Sequence, residues 1–198
     1  MTLSSDHHGS LANIARIGGA TMTTLSAIGE DVNRDDLRET PARVSKFWME
    51  RTRGYRESAT DLVKTFPAPE GYDQMVAGGP YRFYSLCEHH LVPFFGKAWV
   101  AYVPGERIIG ISKLPRIVDL LSRKLQTQER LTAEIANVLE DELDPQGVGV
   151  MLLGRHLCQE MRGIHREGPT RTTALRGGFM QAETRAEWLQ GCLMETEA

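Results

Sequence analysis

Between Tyr81 and Val103 the chain reads YRFYSLCEHHLVPFFGKAWVAYV, and the fold turns on how that stretch divides. Tyr81 to Leu86 and Lys97 to Val103 are short runs rich in aromatic and β-branched residues, which suit a pleated, half-buried surface. A third run of this kind, Arg107 to Ile111, follows the turn residues Pro104-Gly105, and Gly96 is read as a turn opening the second run. Between the first two runs stands Cys87-Glu88-His89-His90. Cys87 and His90 have the Cys-x-x-His spacing that lets one tight turn place a thiolate and an imidazole on the same ion. About seventy residues later comes His156-Leu157-Cys158, and Cys158 can complete a set of two sulfurs and one nitrogen.

Outward towards the N-terminus, Leu11, Ile14, Ile17, Met22, Leu25 and Ile28 recur at helical intervals and Gly29 closes the segment. Thr40-Pro41 reads as an N-cap followed by proline at the first helical position. Val44, Phe47 and Trp48 give that second helix its apolar face, ending near Gly54. Thr60 to Pro80 is expected to be a loop-rich connection. Outward the other way, Ser112 is read as the cap of a helix buried through Ile117, Val118, Leu120 and Leu121. Leu131, Ile135, Val138, Leu139 and Leu143 mark another. Val148 to Leu153 is β-like, strands are expected around Gln159 to His165 and Thr170 to Met180, and a last helix near Arg185 to Leu193. This order predicts an α+β fold, helices packed on one face of a mostly antiparallel sheet. The expected division is a polar tail over 1–10, a helical region over 11–70 and a catalytic domain over 71–198.

Composition excludes several classes. With 198 residues, 41% hydrophobic and 25% charged, the chain is an ordinary globular protein with room for a core. No apolar run has the length of a membrane span. The polar N-terminus holds no signal core, and three cysteines make no disulfide framework, so a reducing, cytoplasmic setting is expected. The net charge is −3, yet residues 151–180 hold five arginines against two glutamates. A local cationic pocket on an acidic protein suits a small anionic substrate better than long nucleic acid.

The chemistry follows from the donor count. A structural zinc site closes with four protein ligands, whereas a catalytic one keeps a position open. The remaining cysteine, Cys192, stands outside any ligand spacing, so the set Cys87, His90 and Cys158 favours an open, hydrolytic centre. The bland alternatives are a buried cysteine beside surface histidines, or a closed structural site. His156 and Cys158, two apart on an expected strand, would share a face. His89 reads either as a further ligand or, better, as a general acid or base; His7, His8 and His165 receive no role. Lys113 and Arg116, in the first turn after Ser112, form either a phosphate cradle or a solvated helix start. Glu129, in Gln128-Glu129-Arg130, either complements a helix dipole or accepts from the ring N–H and amine of guanine.

Taken together, the residues resemble the GTP cyclohydrolase I family, zinc-dependent enzymes at the start of pterin and folate biosynthesis. The resemblance runs through Ile28-Gly29-Glu30-Asp31, Glu39-Thr40-Pro41-Ala42-Arg43-Val44, Tyr84 to His90, Gly96-Lys97-Ala98 and Ala101-Tyr102-Val103-Pro104. It continues in Gly110-Ile111-Ser112-Lys113-Leu114, Arg116-Ile117-Val118, Gln128-Glu129-Arg130-Leu131-Thr132, His156-Leu157-Cys158 and Met161-Arg162-Gly163, from about Leu11 to Leu189. It implies a T-fold and zinc on Cys87, His90 and Cys158, with His89 and His156 as catalytic histidines. Gln128 and Glu129 become the guanine-recognition pair, and Arg43, Lys46, Ser112, Lys113, Arg116 and Arg162 surround triphosphate and ribose. It also implies a homo-oligomer, commonly a decamer, with active sites at subunit interfaces. Trp99, Pro115 and the arginine-rich stretch His165 to Arg176 depart from the family pattern.

The implied reaction converts GTP to 7,8-dihydroneopterin triphosphate and formate, with His156 protonating nitrogen 7 and His89 moving a proton at the sugar. Rival readings are a paralogue that stops after partial hydrolysis and a zinc-stabilised module that binds RNA through its arginines. A nucleobase deaminase lacks support, since the His-x-Glu and Pro-Cys-x-x-Cys signature is absent. A nitrile reductase would need a nucleophilic cysteine rather than a chelating set.

Overall fold

The computed structural model describes residues 11–194; the polar tail, with His7 and His8, lies outside them. The chain divides between Arg56 and Glu57 into two units. In the first, helix α1 (Leu11–Ala27) ends just before Gly29, whose φ of 91° is a left-handed conformation that glycine adopts without strain. Helix α2 (Thr40–Arg51) follows a residue, Glu39, that makes no side-chain cap, so Thr40 is itself helical rather than the cap. Pro41 is tolerated there because a first-turn N–H has no intrahelical partner. The two helices join where the buried Ser45 hydroxyl donates to the Ile14 carbonyl at 3.0 Å.

In the second unit, β1 (Thr65–Pro67) and β4 (Arg107–Ile109) pair as a separate antiparallel ribbon. Part of the expected Thr60 to Pro80 loop is therefore strand. The main sheet contains β2 (Val76–Cys87), β3 (Pro93–Val103), β5 (Leu125–Gln126), β6 (Gly147–His156) and β7 (Thr170–Gly177). Its order is β5-β2-β3-β6-β7, antiparallel except where β5 joins β2.

Period-two alternation in β3 decides which side chains face which core. Ala98, Val100 and Tyr102 enter one core and Trp99 and Ala101 the other. β6 does the same with Val148, Val150 and Leu152 against Met151. On the first face lie α3 (Lys113–Ser122) and α4 (Gln128–Leu143), through Leu114, Ile117, Val118, Leu131, Ile135 and Leu139. This is the expected α+β arrangement, helices stacked on a mostly antiparallel sheet. The opposite face is also partly covered, because α6 (Ala182–Met194) brings Trp188 and Cys192 onto Trp99 and Phe179.

Three local expectations are corrected. Gly96 is not a turn but the middle of β3, paired with Gly154. It is glycine because a Cβ there would run into the Leu153 carbonyl. Gly96→Ala should therefore lower stability by about 1–3 kcal/mol, the scale of an overpacked site, read as a reduced urea midpoint at unchanged slope. Ser112 precedes α3 but makes no side-chain cap. The segment expected as a strand around Gln159 to His165 is helix α5 (Leu157–Glu160) followed by turns, with Gly163 and His165 at φ 65° and 49°. Leu, Gln, Glu and Met favour helix, and the stretch lacks alternating apolar residues.

Candidate metal centre and active site

The first two donors stand on the turn that leaves β2. The Leu91 N–H donates to the Cys87 carbonyl at 2.8 Å, with Leu91 at φ 58°, and the Cys87 N–H donates to Val92 O at 2.9 Å. These bonds curl Cys87 to His90 so that thiol and imidazole lie on the same side. The third donor arrives differently from expectation. His156 ends β6 and Cys158 lies in the helical turn of α5, so strand alternation does not align them. A switch from strand to helix brings Cys158 round.

The result is a cluster in which the donor atoms of Cys87, His90 and Cys158 all lie within 4.8 Å of one another. Among the described residues no fourth histidine, cysteine or carboxylate joins it. Two sulfurs and one nitrogen at that spacing fit a tetrahedral, thiophilic ion such as zinc with small side-chain adjustments. Cys87 is buried, Cys158 half-buried and His90 exposed, so the cluster opens to solvent on the histidine side. Burial is the first cause pushing the Cys158 thiol up, followed by the nearby Cys87; Arg162 pulls it down. His90 Nδ1 lies 4.0 Å from Cys87 Sγ, while its Nε2 accepts from Arg162 Nη1 at 2.6 Å. His89 is exposed, its Nδ1 3.9 Å from Cys87 Sγ.

His156 is held more firmly. Its ring stacks on Phe94, centroids 4.9 Å apart and planes within 2°, and its Nε2 lies 2.8 Å from Gln128 Oε1. The Gln128 amide nitrogen donates to Thr170 O at 2.9 Å and to Thr172 Oγ1 at 3.0 Å. With both amide protons used, the oxygen must face His156, and His156 Nε2 must carry the proton. A Cβ at Gly154 would collide with Gln128 Oε1. Burial lowers the His156 pKa below the ordinary imidazole value, opposed by Glu129 and Glu160.

The remaining predicted residues fall in three places. Glu129 is exposed in the first turn of α4. Ser112 and Arg116 are exposed and Lys113 half-buried at the start of α3. Arg43 and Lys46 are exposed on α2 of the first unit, Arg43 paired with Glu39 at 2.6 Å. Sequence reading misses Phe94 and the pair Glu88–Arg130, because neither a stacking face nor a bond across 42 positions leaves a local pattern. Arg130 holds the Glu88 carboxyl below the usual carboxylate range.

Three donors with a histidine fixed beside them suit an open, hydrolytic metal centre better than a structural zinc knot, which closes with four protein ligands. Comparison with known proteins says which hydrolase. Residues 17–193 match the GTP cyclohydrolase I family. GTP cyclohydrolase 1 of Saccharomyces cerevisiae is 46% identical over 178 residues, 89% of this chain and 73% of that protein. The Sulfurihydrogenibium protein of the same name is 48% identical over 88% of this chain and 92% of its own. The crystal structure of the archaeosine synthase QueF-Like in the apo form aligns at TM-score 0.44 and 17% identity, over 56% of this chain and 98% of that one. The chain belongs to the GTP cyclohydrolase I family. Its function is accordingly that of a GTP cyclohydrolase in pterin and folate biosynthesis. Among the described residues no helix is long and apolar enough to cross a membrane.

Proposed function

We propose that this enzyme converts GTP to 7,8-dihydroneopterin triphosphate and formate at a zinc ion held by Cys87, His90 and Cys158. The observation that carries the reading is the three-donor cluster with His156 fixed beside it. Bound zinc would supply acidified water for attack on carbon 8 of guanine. His156 passes a proton to nitrogen 7, which makes that carbon electrophilic. Glu129 and Glu160 oppose the effect of burial on the ring and favour its cationic form. His89, exposed beside the cluster, suits proton transfer at the sugar.

Glu129 is our candidate for the guanine edge, because an exposed carboxylate at a helix start can accept from two donors at once. The Gln128 amide is engaged within the protein, so we assign it to recognition through His156 rather than by direct contact. Ser112, Lys113, Arg116, Arg162, Arg43 and Lys46 are the proposed triphosphate and ribose contacts. GTP carries about four negative charges, so such cations serve both affinity and orientation. Glu129→Gln should cost on the order of 2–4 kcal/mol of GTP binding, since an amide offers one acceptor and one clashing donor. Calorimetry checks this, and unchanged affinity removes Glu129 from the base site.

Free thiols at Cys87, Cys158 and Cys192 suit a reducing, cytoplasmic setting. We also propose a homo-oligomer, a decamer as family resemblance implies, with neither nucleic acid nor membrane as partner. Light scattering measures the assembly. The deciding experiment incubates protein, zinc and GTP and assays formate and a fluorescent oxidised pterin together. Formate without pterin would mark a partial hydrolase instead.

A further inference from the structure

The metal turn is tied to the rest of the unit at the residue between its donors. Glu88 stands after Cys87 and before His89 and His90; one carboxylate oxygen lies 3.8 Å from His89 Nε2, and no metal or substrate contact is assigned to it. Its N–H donates to Gln126 O at 3.1 Å, and its carboxylate accepts from Arg130 Nη2. Arg130 does not depend on Glu88 for its own position. Its Nε donates to Gln126 Oε1 at 2.8 Å, and the same Nη2 donates to Leu125 O at 2.9 Å. Gln126 is fully buried, and its amide nitrogen donates to Leu121 O at 3.0 Å and Glu134 Oε2 at 2.7 Å. The guanidinium is thus a fixed fork reaching from a buried frame to the metal turn.

Arg130 sits two residues after Gln128 in the first turn of α4, where the Thr127 hydroxyl caps the helix by accepting from the Arg130 N–H at 3.2 Å. Gln128 grips His156, two residues before Cys158. Arg130 grips Glu88, the residue after Cys87. One helical turn therefore holds a neighbour of each thiol donor, and those donors come from segments about seventy residues apart. A shift of either segment against α4 would open the sulfur-to-sulfur distance.

We propose that Glu88 and Arg130 are positioning residues for the metal turn, registering Cys87 and His90 against Cys158 and thereby setting metal affinity. The inference rests on the reading of Cys87, His90 and Cys158 as zinc ligands. A site with a partner bond removed still has its three donors but must order the turn on binding, and such outer partners carry on the order of 10- to 100-fold in metal affinity or activity. Part of the effect is tempered here because the pair is partly exposed, with Glu88 at 31% and Arg130 at 43% of side-chain area. The expected loss lies at the lower end, about 10-fold.

The test is zinc affinity by competition with a chromophoric chelator, for the wild type, Glu88→Ala, Glu88→Gln, Arg130→Met and the double variant Glu88→Ala with Arg130→Met. Glu88→Ala should bind zinc about 10-fold more weakly, with Glu88→Gln between it and the wild type because an amide oxygen still accepts from Arg130. The double variant should be no weaker than the weaker single one, as expected for two residues acting through one bond. Cobalt-loaded Glu88→Ala should also show a weakened or shifted thiolate-to-cobalt band, which a loss of fold stability alone does not produce. Because Arg130→Met strips a partner from buried Gln126, it is judged by circular dichroism; if it is unfolded, the two Glu88 variants decide. Wild-type zinc affinity and cobalt spectrum in Glu88→Ala overturn the inference while leaving the metal site standing. Failure of the wild-type protein to bind zinc overturns the site and this inference with it.

Discussion

Cys87→Ser and Cys158→Ser are each expected to lose bound metal and to reduce turnover below about one thousandth of the wild-type rate, while most of the fold survives. The physical reason is the small donor count. The proposed set has three donors, and removing a thiolate leaves two, with a serine hydroxyl that does not ionise near neutral pH in its place. The structural cost is modest, because Cys87 sits at the end of β2 with its backbone N–H bonded to Val92 O, a contact the substitution does not touch. Loss of stability should stay within about 1–2 kcal/mol. Elemental analysis gives zinc per chain, denaturant unfolding gives stability, and formate release gives rate. Either variant retaining full zinc and full rate would remove that cysteine from the ligand set.

His156→Ala should separate chemistry from metal binding. Cys158 supplies the donor from this segment, so zinc content should be unchanged, and GTP should still bind. The rate should fall roughly 10²- to 10⁴-fold, the scale of a lost general acid or base. The lost step should be opening of the imidazole ring of guanine, since nitrogen 7 without a proton is a poor electron sink. The substitution has a second effect, because it leaves Gln128 Oε1 without its donor and Phe94 without its stacking partner. That costs about 1–3 kcal/mol. His156→Asn addresses it by keeping an N–H that can reach towards Gln128. If the rate loss came from disorder around Gln128, Asn should restore much of it. If His156 is the acid, both variants should be equally slow. Loss of zinc in His156→Ala would instead make it a fourth ligand and restore the structural-zinc reading.

These expectations rest on residues that differ in how readable they are. The donors Cys87 and His90 are legible because Cys-x-x-His is a property of one turn, and local geometry is written in local sequence. The α+β class is legible for the same reason: alternation in β3 and β6 and the helical period of α4 are each set by burial of one face. One error arises where distant backbone decides the matter. Gly96 looks like a turn because glycine usually marks one, and its actual reason is a carbonyl on β6. The strand expected around Gln159 to His165 fails for a local reason instead, since Leu, Gln, Glu and Met favour helix and no apolar alternation is present.

What the sequence determined by itself is the inventory of metal-donor, imidazole and cationic side chains, and most of the sheet and helices that carry them. Spacing and periodicity are short-range quantities, and they survive in a one-dimensional record. What only the tertiary structure decided is which nitrogen of His156 carries the proton and what holds the metal turn in place. The first follows from an amide whose two donors are consumed by β7, and the second from a guanidinium that spans 42 positions to reach Glu88. Both depend on long-range packing, in which a buried polar group must find its partner wherever the fold brings one. No local pattern encodes that choice.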